Sequence, residues 1–143
     1  MLERIDPERI NKPVGSYANV TKVSAKELIF VAGQVPVDEK GKMVGVVSDG
    51  GIGNRTYFDV EAQVRQTMLN VKGALEAFGA SFENLVRLDT YVVASVMNDY
   101  KRIGVRVKHD MLAGVRVSGA TVYVYALQPS DAMIEISGIA ALG

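Results

Sequence analysis

A helical stripe of apolar residues occupies the middle of the chain. Its members recur every three or four residues and are Val60, Val64, Met68, Val71, Leu75 and Phe78. That spacing places all of them on one side of an α-helix. Thr56 and Asp59 resemble a capping box at its start, and Gly79 suits its end. Because the stripe is single, the helix has to bury one side only, against another layer of structure.

Segments of β-strand character surround this helix. They are residues 19–24, 27–35, 84–95, 119–127 and 133–141, with a shorter candidate at 43–47. A second helix is predicted over about 98–112, with Tyr100, Ile103, Val107 and Met111 on one side. The predicted order is β-β-(β)-α-β-α-β-β, an α+β fold. Its long connections are expected to be crossovers, and strands that follow each other directly are expected to form hairpins.

The two helices leave one face of the predicted mixed sheet uncovered. Each helix carries a single apolar stripe, so both are expected on the same face. The other face would then expose Tyr91 and Val93 of one strand and Tyr123 and Tyr125 of another. An uncovered apolar face usually marks an interface. The pattern therefore predicts an oligomer whose sites could lie between subunits.

Composition narrows the classes of function. A chain of 143 residues suits one domain, 1–143, with a sizeable core. Its 16 basic and 16 acidic residues cancel, so nothing in the charge favours nucleic acid as a partner. The absence of cysteine excludes thiolate chemistry, and one histidine, His109, is too few for a His-rich metal site. His109 lies off the apolar stripe and is expected on the surface, so no metal site is predicted.

The chain shows no targeting or nucleotide-binding pattern. The N-terminus "MLERIDPERINKP" lacks the apolar core of a signal peptide, and no apolar run approaches the ~20 residues of a membrane span. The glycine-rich run "SDGGIGNRT", residues 48–56, matches neither phosphate-binding spacing and is interpreted as a loop. A cytoplasmic protein without a membrane partner is the expectation.

Glu135 interrupts an otherwise apolar terminal strand. Because strand side chains alternate, Ile134 and Ile136 point to one face and Glu135 to the other. Glu135 could mark the wet face of a half-covered sheet. It could equally line a pocket, where a carboxylate acts as an acid, a base or a holder of water. The alternation alone leaves both interpretations open.

Several separated motifs give the chain a family resemblance. They are "VGSYANVTKV", "LIFVAGQVPVDEKGKMV", "FDVEAQVRQTMLNVKGALEAFGASFENLVRLDTYV" and "PSDAMIEISGIA". In this order and spacing they resemble the YjgF/Rid family, the reactive-intermediate deaminases also known as endoribonuclease L-PSP-like proteins. The resemblance runs over nearly the whole chain.

The resemblance implies a fold, an assembly and a reaction. The fold is chorismate-mutase-like, with two helices on one face of a mixed sheet. The assembly is a homotrimer that binds small molecules in three clefts between subunits. The reaction is hydrolysis of enamines or imines without a cofactor. Glu135 would orient the water, Tyr17 would assist, and the substrate would contact Ala32, Gly33, Gly119 and Ala120.

The resemblance fails at the cation that holds the substrate carboxylate in this family. The family arginine falls on Gly119, its usual serine is Ala32, and its helical asparagine falls on Gly104. Arg116, three residues before Gly119, is a candidate replacement. Each lost charged hydrogen bond costs ~1.5–3 kcal/mol. Gly119 and Ala32 also suggest room for a larger ligand, with Tyr17, Tyr123 and Tyr125 as candidate walls.

Three functions follow from these observations. The first is a Rid-like hydrolase with an altered substrate preference. The second is a small-molecule-binding trimer without catalysis, which the missing arginine would favour. The third is a ribonuclease, against which the neutral charge and the single histidine argue.

Overall fold

The structure, a computed structural model, describes residues 1–48 and 56–143. Its first helix is Val60–Glu76. Its N-cap is Asp59, whose carboxylate accepts from the backbone N–H of Ala62 at 3.0 Å. The predicted capping box with Thr56 is therefore wrong, since Thr56 begins a strand. Phe78 lies beyond the helix end and is 72% exposed, so the apolar stripe stops at Leu75.

The second helix follows the sixth strand and is irregular. It starts with a short turn at Met97–Asp99, continues as a π-helical turn at Tyr100–Gly104 and ends as the regular helix Val105–Leu112. A side chain at Gly104 would meet the Tyr100 ring at 2.5 Å. The wide turn and this glycine let the Tyr100 ring lie close to the helix backbone.

A mixed four-stranded sheet carries both helices. Its strands in spatial order are β3 (Glu27–Gln34), β8 (Ile134–Leu142), β6 (Leu85–Val93) and β7 (Thr121–Val124). The pairs β3–β8 and β8–β6 are antiparallel, and β6–β7 is parallel. The α+β prediction of two helices on one face of a mixed sheet is confirmed. The expected hairpin between the last two strands is wrong, because β8 inserts between β3 and β6.

Four short strands form two further ribbons. β1 (Leu2–Ile5), which the sequence analysis missed, pairs with β2 (Val20–Val23), so the expected hairpin between β2 and β3 is also wrong. β4 (Val46–Ser48) pairs with β5 (Thr56–Phe58). Residues 49–55 of the predicted glycine-rich loop lie outside the described residues.

The sheet has a covered face and an open face. The helices bury the side chains that point toward them, among them Val31, Leu88, Thr90, Ile134 and Ile136. On the open face Leu28 is 54% and Phe30 72% exposed, and Val122 is exposed beside Tyr91. Tyr123 was predicted on this face, but its parallel pairing with buried Val92 puts it on the helix side, against Tyr100.

Candidate functional site

Glu135 lies half-buried on the open face of the sheet. Its partner across the strand pair is Tyr91, whose neighbours Thr90 and Val92 are buried on the covered face. A β-bulge lies next to it on β3, between Val31 and Gln34. Bulges commonly re-aim side chains beside functional sites. Here Gly33 of the bulge lies next to the carboxylate.

Gly33 makes room for the Glu135 carboxylate. A Cβ atom at position 33 would lie 2.7 Å from Glu135 Oε2 and 2.8 Å from Cδ. Any side chain at Gly33 would therefore displace the carboxylate from its present position. Ala32 is exposed, and its carbonyl accepts from the side-chain amide of Gln34 at 3.0 Å.

The Glu135 carboxylate is free to bind a water or a ligand. Within residues 1–48 and 56–143 it forms no hydrogen bond and no ion pair with another side chain. A carboxylate of this kind can accept hydrogen bonds from water and take up a proton. A half-buried carboxylate of this kind fits both interpretations from the sequence, a pocket residue and the wet face of a half-covered sheet.

Tyr17 is not brought together with Glu135 in one chain. Tyr17 lines a cavity on the covered side of the sheet, with Leu88 and Tyr100. Its hydroxyl accepts from the backbone N–H of Val14 at 3.3 Å. A site that uses both Tyr17 and Glu135 would have to combine two copies of the chain.

Arg116 holds the N-terminal segment in place. Its guanidinium pairs with Asp6 and donates to the carbonyl of Tyr17 at 3.1 Å. The backbone N–H of Asn19 and the Arg116 side chain together keep the pKa of Asp6 below its usual value. Arg116 is thus engaged with Asp6 and Tyr17, and it makes no contact with Glu135.

Gly119 is required by the backbone rather than by an empty space. A Cβ atom there would lie 1.9 Å from the carbonyl oxygen of Leu88. The flanking residues extend the parallel pairing: Leu88 N–H donates to Ser118 at 3.0 Å, and Thr90 N–H donates to Ala120 at 2.9 Å. A side chain at position 119 would therefore meet the β6 backbone, although Gly119 and Ala120 line the same cavity as Tyr17. Ala120 is exposed, and its N–H donates to Asp89 at 3.0 Å.

The covered-side cavity contains residues that the sequence analysis did not assign to a site. Lys108 lines it, and His109, expected on the surface, is half-buried there. Burial and the nearby Lys108 lower the pKa of His109. Tyr123 is a wall of this cavity, whereas Tyr125 is 97% exposed and lines no cavity described here.

The described residues show neither a metal-binding cluster nor a membrane-spanning helix. Over the described ranges, no three histidine, aspartate or glutamate side chains come close enough to hold a metal ion. None of the helices in the described part of the chain is long and apolar enough to cross a membrane.

The fold and the site define a small α+β protein that presents a carboxylate on the uncovered face of a mixed sheet. The family model Endoribonuclease L-PSP matches residues 8–142. The chain belongs to this family, and the sequence-based resemblance to YjgF/Rid proteins is confirmed.

Named relatives cover the full length of the chain. A RutC family protein of Pyrococcus horikoshii is 32% identical over 140 residues, which is 98% of each chain. A protein of Salmonella typhimurium named 2-iminobutanoate/2-iminopropanoate deaminase is 30% identical, again over 98% of each chain. Among solved structures, a Rid family protein of unknown function from Yersinia pestis aligns with a TM-score of 0.80 at 25% identity, over 99% of this chain and 98% of that one.

Proposed function

We propose that the protein is a Rid-like hydrolase of enamines or imines that works in clefts between the subunits of a homotrimer. The observation that carries the proposal is the Glu135 carboxylate, which lies free on the open face and next to the Gly33 backbone. The Salmonella relative, named as an imine deaminase, supports the reaction class. The prediction of a cytoplasmic location stays a prediction.

The reaction needs one group that activates water. Glu135 accepts a proton from a water molecule as the oxygen attacks the electrophilic carbon of the C=N bond. The resulting carbinolamine loses ammonia once the nitrogen is protonated, and a carbonyl compound remains. The imine carbon is already electrophilic, so the scheme calls for neither a metal nor an organic cofactor.

Assembly would complete the site. Tyr17 lies on the covered side and Glu135 on the open side, so a cleft between two copies could unite them. The exposed Leu28 and Phe30 give the open face the apolar surface that such packing needs. Light scattering after size exclusion should give about three times the chain mass of 15.4 kDa. A monodisperse monomer would contradict the cleft.

The substrate is expected to differ from small 2-imino acids. Gly119 supplies no cation, and Arg116 is engaged with Asp6. Turnover of 2-aminoacrylate or 2-iminobutanoate, generated by a coupled enzyme, should therefore be weak. Turnover equal to that of an arginine-bearing relative would show that another cation replaces the arginine. The runner-up function, a binding trimer without catalysis, is favoured by this same missing arginine.

Glu135→Gln tests the catalytic role. The change keeps the shape of the side chain and removes its charge, and Ile134 and Ile136 keep the core intact. We expect a folded protein with an unchanged melting temperature and no hydrolysis of any imine that the wild type hydrolyses. Ser137→Ala, two residues along on the same face, is the matched control and should keep activity. Full activity in Glu135→Gln would refute the catalytic assignment.

A further inference from the structure

The first helix carries two side-chain carboxamides that hold the chain on either side of the Glu135 site. They belong to Gln63 and Asn70, which are seven residues apart on the helix Val60–Glu76. Seven residues are two helical turns, so both side chains leave the same side of the helix, about 10 Å apart along its axis. The helix is therefore a rigid spacer between two points of attachment.

Gln63 is attached to the segment that leads into β8. Its side-chain carbonyl accepts from the backbone N–H of Met133 at 2.8 Å, and its side-chain amide donates to the carbonyl of Asp131 at 2.9 Å. The same amide donates to the carbonyl of Val44 at 3.0 Å. Gln63 is fully buried, so these hydrogen bonds form away from water, where they are stronger. They fix the chain two residues before Glu135.

Asn70 is attached to the segment that follows β3. Its side-chain amide donates to the carbonyls of Val35 and Val37, both at 2.9 Å. Its side-chain carbonyl accepts from the amide of Gln66, one turn earlier on the helix, at 2.9 Å. This second amide orients the first, because it determines which end of the Asn70 carboxamide faces the loop. The two hydrogen bonds to the loop fix the chain two residues after Gly33.

The ladder between β3 and β8 does not reach these two segments. Its register ends with the pair Gln34 and Ile136, so residues 35–37 and 131–133 lie beyond it. A groove of about 970 Å³ lies between residues 35–40 and the first helix, and Leu69 is 45% exposed there. Side-chain packing across the groove is therefore incomplete, and the hydrogen bonds of the carboxamides have to carry the attachment.

The attachment matters because Gly33 and Glu135 approach each other so closely. The carboxylate fills the space that a side chain at position 33 would need, since a Cβ atom there would lie 2.7 Å from Glu135 Oε2. A misplacement of a reacting group by about 1 Å can cost roughly 100-fold in rate. Small shifts of either segment would therefore move the carboxylate relative to a bound substrate.

We propose that Gln63 and Asn70 are positioning residues for the Glu135 site, which hold the chain before Glu135 and the chain after Gly33 at a fixed separation. Neither carboxamide touches the carboxylate, and each acts through the backbone that it binds. Their effect on turnover rests on the proposed hydrolase. Their effect on the placement of the carboxylate does not, and it can be measured without a substrate.

The first test is an NMR titration of the Gly33 amide resonance. In the wild type this resonance should shift as Glu135 loses its proton, and Glu135→Gln should abolish the shift. In Asn70→Ala the shift should fall to about half or less, because the effect of a charge weakens with distance. Asn84→Ala removes a comparable hydrogen bond to the Ser81 backbone, before β6, and as the matched control should keep the full shift. A full shift in Asn70→Ala would refute the positioning role, whichever substrate is found.

The second test is the turnover of any imine that the wild type hydrolyses. Asn70→Ala and Gln63→Met should lower kcat by ~10–100-fold and leave KM nearly unchanged, because the water-activating group is misplaced while the substrate contacts remain. Asn70→Asp keeps the shape of the side chain but donates to neither carbonyl, so it should resemble Asn70→Ala. Asn84→Ala should keep the wild-type kcat.

The two tests separate the two proposals. A reduced Gly33 shift in Asn70→Ala, together with no imine turnover by the wild type, would support the positioning role and refute the hydrolase. Wild-type kcat in both Asn70 variants would refute the positioning role and leave the hydrolase standing. If Gln63→Met does not fold, the Asn70 variants alone decide the outcome.

Discussion

Glu135 and Lys108 lie on opposite faces of one sheet: the face of Glu135 is open, and the face of Lys108 is covered by helices. Glu135 is free on a face with exposed apolar side chains, and Gly33 gives its carboxylate room. Lys108 is half-buried beside the sheet, and among the described residues its ammonium donates one hydrogen bond, to the Thr90 hydroxyl. On the open face, the reactive carboxylate has no walls around it within one chain. On the covered face, one chain alone provides both a cavity and a cation, Lys108.

This difference separates what one chain can do from what needs a second copy. A cavity bounded by a helix and a sheet can select a ligand without assembly. A carboxylate on an open face needs walls to exclude bulk water before it becomes an effective base. Assembly should therefore matter for hydrolysis, and it should also reach the covered-side cavity, because Tyr17 of that cavity belongs to the proposed cleft.

The largest change in stability is expected at Gly119, where the chain that leads into β7 passes close to the backbone of β6. Gly119→Ala should destabilise the fold by roughly 2–4 kcal/mol, because its Cβ would lie 1.9 Å from a carbonyl oxygen of β6. Urea unfolding measures the loss. Gly73→Ala, in the first helix with nothing within 4 Å of the new Cβ, should instead stabilise by ~0.5–1 kcal/mol. Wild-type stability of Gly119→Ala would show that the backbone shifts at little cost and that the close approach to β6 does not require glycine.

A smaller change in stability, of opposite sign, is expected at Lys108. Lys108→Met should raise stability at neutral pH by roughly 1–3 kcal/mol, because it removes a half-buried charge that forms no ion pair among the described residues. The folded pKa of about 8 lies below the ordinary 10.5, so between these values the unfolded chain binds more protons. The wild type should therefore gain stability as pH rises through this window, and the advantage of the variant should shrink.

Urea unfolding across that pH range measures both effects. Tyr100, whose pKa rises from 10.0 to about 12 on folding, lowers stability near the upper end of the window, equally in the wild type and in Lys108→Met. His109, with a lowered pKa, titrates below the window. Lys72→Met serves as the control with a flat difference from the wild type. A loss of stability in Lys108→Met at neutral pH would mean that the lysine is already compensated.

The smallest change in stability is expected on the open face. Gly33→Ala should cost less than ~1 kcal/mol, because the new Cβ meets only the movable end of the Glu135 side chain. Hydrolysis should nevertheless fall, since the carboxylate has to leave its position. In the Glu135→Gln background the same change should have no further effect on turnover. Independent losses of activity would show that Gly33 acts on something other than Glu135.

Alternation within a single segment was enough to predict much of the fold. The four-three spacing up to Leu75 identified the first helix, and the residues around Glu135 identified its face correctly. The inclusion of Phe78 in the stripe was wrong, because an apolar residue beyond the helix end can keep the spacing of the stripe without being buried. Periodicity describes one helix or strand at a time, and its predictions were correct only within single elements.

The pairing and register between segments could not be predicted from the sequence pattern. The side of Tyr123 depends on its parallel register with Val92, and β1 carries too few residues for a pattern. Lys108 looks like a surface charge until β7 and the Tyr17 segment close over it. Such features depend on which strands become neighbours, and side-chain periodicity does not encode that choice.

The central position of β8 has a consequence for how the chain folds. β3 reaches β6 only through β8, so Leu28 has to find Ala141 near the far end of the chain. The entropy of closing such a loop is lost before its contacts form, which slows folding. The first helix, built from local hydrogen bonds, forms sooner. Until β8 arrives, the edge of β3 that it covers stays exposed to other chains, and aggregation competes with folding in that interval.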